Sequence, residues 1–94
     1  MTFATAEFLV HAQLDRQTLD VWIEEGWLVP AGTQVEQIFY EADLARAQLI
    51  RDLIDDLGVN TEGVGIVLNL VDQLHGLRSA MAQIVSSTPT NPAT

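Results

Sequence analysis

Few side chains in this sequence are of the types that carry covalent or metal chemistry. His11 and His75 are the only histidines, and there is no cysteine. The missing thiols remove disulfides, thiolate metal sites and cysteine nucleophiles together. No HExxH string and no glycine-rich phosphate loop is present. Asp72 stands three residues before His75, which pairs the two on a helix surface, but such a pair is ordinarily solvated. The best metal-like string is Asp52-Leu53-Ile54-Asp55-Asp56. It is similar to aspartate-rich strings whose carboxylates converge on magnesium carrying a phosphate substrate. A second such string is lacking, and no basic residues are grouped to receive a diphosphate. The expectation is therefore a non-enzymatic protein with no cofactor and no metal.

Charge is more informative than catalysis. Thirteen acids face four arginines and no lysine, for a net charge of −9. Nucleic-acid phosphate and anionic lipid would be repelled by such a chain at long range. On a helix read from Glu41 to Leu57, the residues Glu41, Asp52, Asp55 and Asp56 fall within an arc of about 100°, opposite the apolar face. A solvated face is the ordinary meaning of that arc. Yet Asp55 and Asp56 precede Gly58, and Glu24 and Glu25 precede Gly26, so both acidic pairs sit where helix carbonyl ends disfavour anions. The same local rule broken twice points to an electropositive partner. Trp27, at the exit of the second helix, either packs the head against residues 29–40 or offers such a partner an aromatic anchor.

These residues need a scaffold, and 94 residues make one domain, 48% hydrophobic. Thr5 as N-cap opens a first helix from Ala6 to Ala12, with Phe8, Leu9 and Ala12 as its apolar face. Asp15 caps a second, Arg16 to Glu25, in which Leu19, Trp22 and Ile23 recur at helical spacing and which Gly26 ends. Two short helices on a tight connection read as helix-turn-helix. Residues 29–40 change period: Ala31-Gly32-Thr33 is a turn candidate, and Val35, Ile38, Phe39 and Tyr40 favour a short β-ribbon, or wing. A third helix places Leu49, Ile50, Leu53, Ile54 and Leu57 on one face and stops at Gly58. Asn60 or Thr61 caps a long last helix, Glu62 to Val85. Its first half, with Val64, Ile66, Val67, Leu68, Leu70 and Val71, is apolar over about 200° and reads as buried. After His75 the stripe narrows to Leu74, Leu77, Met81, Ile84 and Val85, a seam for a second helix and hence a homodimer. Residues 1–86 form the expected domain, and 87–94 a disordered tail. No stretch approaches a membrane span, and the start lacks the basic flank of a signal peptide, so the expected compartment is the cytoplasm.

The order helix-turn-helix, wing, helix, long C-terminal helix resembles a MerR-like DNA-binding head. Leu19-Asp20-Val21-Trp22-Ile23-Glu24-Glu25-Gly26-Trp27-Leu28-Val29-Pro30 resembles its L-R-Y-Y/W-E-x-x-G-L-L-x-P signature, and Phe39 with Asp43-Leu44 resembles the wing exit. Asp20 stands at the arginine of that signature, while Gln37 and Ile38 stand at the wing's paired arginines. Phosphate-neutralising groups are thus replaced by an acid and two neutral side chains. The chaperone-modulator family of CbpM type is a closer likeness. Phe3-Ala4-Thr5-Ala6-Glu7-Phe8, the Gly26–Pro30 exit, Phe39 and the run from Gly63 to Asp72 look like its corresponding stretches, over about residues 3–78. This resemblance implies a mainly α fold, a MerR-like winged helix-turn-helix head with a short β-ribbon and a long C-terminal helix. It also implies a regulator that binds the J-domain of a DnaJ/CbpA-like co-chaperone, blocks its stimulation of the Hsp70 (DnaK) ATPase and opposes its DNA binding. J-domains present a basic helix, a suitable counterpart for a chain of −9. Tyr40 departs from the short polar cap expected before the third helix. A MerR-like transcription regulator is the alternative reading.

Overall fold

The computed structural model describes residues 1–87. The expected disordered tail lies outside the described residues but for Ser87, which is helical. In chain order the elements are β1 (Thr2–Ala4), α1 (Thr5–Ala12), α2 (Arg16–Glu24), β2 (Ala31–Gly32), β3 (Gln37–Tyr40), α3 (Glu41–Arg51), a π-helical turn (Asp52–Asp56) and α4 (Thr61–Ser87). Two compact units result, one from Met1 to Val64 and one from Gly65 onward. The mainly α winged helix-turn-helix architecture is present.

The wing is larger than the sequence pattern suggests. It is a three-stranded antiparallel sheet in the order β1-β3-β2, with Phe3 opposite Phe39 and Ala31 opposite Ile38. Ala31 and Gly32, expected in the turn, form β2 instead, and the turn moves on to Thr33–Glu36. There the Thr33 N–H donates to the Glu36 carbonyl at 3.1 Å, and the Glu36 N–H donates to Thr33 Oγ1 at 2.9 Å. Val35 therefore occupies the tip and is 95% exposed rather than in a strand.

Both strand-to-helix junctions use one device. A β residue ends its strand, and its own N–H donates to an acid three residues on: Ala4 to Glu7 at 3.0 Å, Tyr40 to Asp43 at 2.7 Å. An acid at the third helical position thereby does half the work of a capping box, and its charge suits the positive end of the helix. This corrects the expected Thr5 cap by one residue. It also explains why Tyr40 is acceptable where a short polar side chain is usual. The α2 cap follows the sequence, with Thr18 N–H donating to Asp15 Oδ1 at 2.7 Å.

Helix ends are equally specific. At the end of α1 the Leu14 N–H reaches Leu9 O at 3.0 Å and the Gln13 N–H reaches Val10 O at 3.3 Å, the Schellman pattern, with Gln13 left-handed at φ 57°. The end of α2 repeats it: Trp27 N–H to Trp22 O, Gly26 N–H to Ile23 O, and Gly26 at φ 78°. Between these stops the two helices turn on Phe8, Ala12, Leu19 and Trp22, all buried. Phe8 stacks on Phe39 at a centroid distance of 4.2 Å and 14° between planes, which fastens α1 to the sheet. Phe3, Trp27, Leu28, Ala47, Ile50, Leu53 and Val64 complete the core of the first unit.

The third helix departs from regularity after Arg51. Leu57 N–H donates to Asp52 O at 3.1 Å, an i→i+5 bond, so the last turn is π-helical. A wider turn advances each side chain by less than the α-helical 100°. Leu53 stays buried, but Ile54 is 36% and Leu57 70% exposed, against the expectation that both share the core face. Asn60 is the cap of α4, its Oδ1 accepting from Gly63 N–H at 2.8 Å.

Candidate functional site

In DNA-binding helix-turn-helix heads, the outward face of the second helix is the one that reads the duplex. Here that face carries exposed Gln17, Asp20, Val21 and Glu24. Arg16 is the one cation of α2, and its Nε lies 3.1 Å from Asp20 Oδ1, both side chains well exposed. Of the two neutral wing positions, Gln37 is half-buried and Ile38 is partly exposed, both within β3. Two more arginines are engaged inside the head. Arg46 Nε donates to the Trp27 carbonyl, tying α3 to the exit of α2. Arg51 Nη1 donates to Ala12 O at 2.9 Å and Gln13 O at 3.3 Å, supplying the end of α1 with a cation where the helix favours one.

The expected partner-binding residues do not behave as one set. Glu24, Glu25 and Glu41 are exposed, as are Asp55 and Asp56. Asp52 is half-buried and accepts from Gln48 Nε2 at 2.9 Å. Asp55 lies 4.0 Å from Arg51 Nε. An arc drawn at 100° per residue through Asp52, Asp55 and Asp56 does not survive the π turn, whose wider spacing breaks that periodicity. Trp27 is 7% exposed, with its ring 6.4 Å from that of Trp22. It belongs to the core of the head, and the anchor role is withdrawn because almost no ring surface remains for a partner.

A groove lies beside the π turn. Gln13, Leu14 and Asp15 from the α1–α2 connection, Thr18 and Trp22 from α2, and Arg51, Ile54 and Asp55 line a cavity of about 280 Å³. Thr18 donates to the Asp15 carboxylate through its hydroxyl and its backbone N–H, and these bonds hold the carboxyl below its ordinary range. In the sequence Asp15 is legible only as a cap, and Arg51 stands out in no motif. The i,i+4 spacing of Arg51 and Asp55 is the one local signal that marks them as a pair.

Along α4, Val64 and Leu68 are buried, and Val67 and Val71 are half-buried. Leu74, Leu77, Met81, Ile84 and Val85 are between 45% and 73% exposed. Ile66 and Leu70, expected to be buried, are 62% and 58% exposed, which extends the open stripe toward the start of the helix. Leu70, Leu74, Leu77, Met81 and Ile84 alternate steps of four and three, the spacing of coiled-coil seams.

Among the described residues no group of three or more His, Asp or Glu side chains is placed to hold a metal ion, and no helix is long and apolar enough to cross a membrane. The strand-to-helix junctions, the doubly stopped helix pair and the three-stranded wing together make a winged helix-turn-helix head. The family model described as MerR HTH family regulatory protein matches residues 3–84, and the chain belongs to that family. Comparison with curated proteins and with solved structures finds no match.

Proposed function

We propose that this chain is a non-enzymatic modulator that binds the J-domain of a DnaJ/CbpA-type co-chaperone and so inhibits its stimulation of Hsp70 (DnaK). The observation that carries the reading is the outward face of α2. Where a DNA reader needs phosphate-neutralising cations, it carries exposed Asp20 and Glu24, with Arg16 engaged on Asp20. A net charge of −9 opposes duplex DNA and favours a basic protein surface. Attraction between an acidic face and a basic helix mainly raises the rate of association, while desolvated apolar contacts supply affinity. Val21 between the acids of α2, and Ile54 and Leu57 among those of the π turn, are exposed apolar side chains suited to that task. On this reading the protein works in the cytoplasm as a homodimer, two copies burying the stripe Leu74, Leu77, Met81, Ile84 and Val85 against each other.

The description of the family favours a second reading, a DNA-binding transcription regulator. One pair of measurements separates the two. The chain is titrated with a purified J-domain of a CbpA-type co-chaperone and, in parallel, run in a gel shift against random duplex DNA at low salt. Saturable J-domain binding without a shift supports the modulator. Retention on DNA that weakens steeply with added salt, and no J-domain binding, replaces it with the regulator.

A further inference from the structure

The net charge of this chain is confined to one of its two units. Met1 to Val64 carries twelve acids and three arginines, a net charge of −9. From Gly65 onward there is one acid, Asp72, and one arginine, Arg78, so that part of the sequence is neutral. The exposed stripe Leu70, Leu74, Leu77, Met81 and Ile84 lies wholly within the neutral part, and none of its five side chains is charged. Two copies of an acidic head repel each other, and a helix without net charge is where they can meet with least repulsion. The stripe is therefore suited to a second copy of this chain. Pairing along it still brings two charged bodies together, because Leu70 is six residues beyond Val64, or about 9 Å of helix.

We infer that the charge of the heads sets the balance between monomer and dimer. The α4 stripe supplies the attraction, repulsion between two heads of −9 opposes it, and a cationic ligand that neutralises the heads drives pairing. This rests on the homodimer part of the proposed function and adds its control. Repulsion scales with the product of the two charges, (−9) × (−9) = 81. It is screened as the Debye length falls from about 30 Å at 10 mM salt to about 8 Å at 150 mM. Burial of the uncharged stripe does not depend on such screening. By linkage, a cation that favours the dimer is itself bound more tightly by the dimer, in the same proportion.

Sedimentation equilibrium of the full chain measures the dimer Kd. It should fall about tenfold between about 10 and 150 mM NaCl. Glu24→Gln with Glu25→Gln and Asp56→Asn removes three exposed acids of the head and leaves −6 there, a product of 36 in place of 81. The same salt step should then change Kd only about threefold. At about 10 mM NaCl, spermine should tighten the dimer more than NaCl added to the same ionic strength. Circular dichroism in each condition ensures that folded chains are compared. A Kd that does not change with salt, or a dimer that no dilution dissociates at the lower salt, would overturn the inference and leave the homodimer standing. A triple variant as salt-sensitive as the unaltered chain would overturn it too. Loss of the salt effect in Arg78→Gln would place the repulsion inside the seam and not between the heads. Spermine no better than NaCl would remove the coupling to a cationic ligand. A monomer at every salt concentration would remove the homodimer itself, and this inference with it.

Discussion

Replacing Arg51 by methionine should measure how the head is tied together. The Arg51 side chain, 30% exposed, donates from Nη1 to the Ala12 and Gln13 carbonyls, so one residue of α3 holds the terminus of α1. Of the last carbonyls of α1, those of Leu9 and Val10 are taken by the Schellman bonds, and Arg51 takes that of Ala12. Methionine keeps much of the apolar stem and removes the donor, along with the charge facing exposed Asp55, a surface pair worth little. A hydrogen bond to a charged group is worth about 1.5–3 kcal/mol when buried. Solvent access and the longer 3.3 Å bond reduce this, and about 1–2 kcal/mol is the expected loss. For a chain of this size that is a fall in Tm of about 5–15 °C. Thermal unfolding followed by circular dichroism measures it, at one fixed protein concentration because self-association also shifts Tm. A fall of under about 2 °C would refute the reasoning, showing that water serves those carbonyls as well as Arg51 does.

Gly76 lies inside α4 with nothing within 4 Å of an added Cβ, so Gly76→Ala should stabilise the chain by about 1 kcal/mol in urea denaturation. Destabilisation would show instead that another helix packs closely there. The lowered pKa of Asp15 stabilises the fold above the carboxyl's unfolded value of 3.8, and that contribution is lost as pH falls through the lower folded value. The stability gap between the unaltered chain and Asp15→Ala should therefore narrow on acidification below about pH 4, as read by urea midpoints across a pH series. Met81→Glu with Val85→Glu should reduce the mass seen by light scattering from dimer to monomer, and an unchanged mass would remove the seam from α4.

Features written in neighbouring residues are legible in the sequence. Asp15 and Asn60 as caps depend on a side chain and a backbone group three residues apart, and Gly26 and Gly58 as stops depend on their own left-handed backbone. The fold class follows from them. Strand β1 is not legible because three residues carry no period, and they are extended only through pairing with residues 38–40. The π turn is hidden for a related reason: a face drawn at 100° per residue assumes the regularity that residues 52–56 lack. That assumption misplaces Ile54, Leu57 and the acidic arc at once. Trp27 is ambiguous in sequence, and its burial is decided by Trp22 and by Arg46 on a distant helix. The groove stays invisible because its two walls are nearly forty residues apart, and no local pattern announces that Arg51 ends at the carbonyl of Ala12.

The central position of β3 in the wing bears on how the molecule forms. Most of the fold is helical and can organise from nearby residues, but Phe3 must find Phe39 across 36 positions, 39 − 3, before the sheet closes. Closing a flexible loop of that length costs about 3 kcal/mol beyond a constant term. Topology of this kind slows folding more than it weakens the folded state. During synthesis β1 is made before β3, with both helices of the helix-turn-helix and β2 between them. The β1–β3 pairing must therefore wait for β3, as must Phe8, whose ring rests on Phe39. The head is thus closed by pairing between β1 and β3, two strands that the whole helix-turn-helix separates.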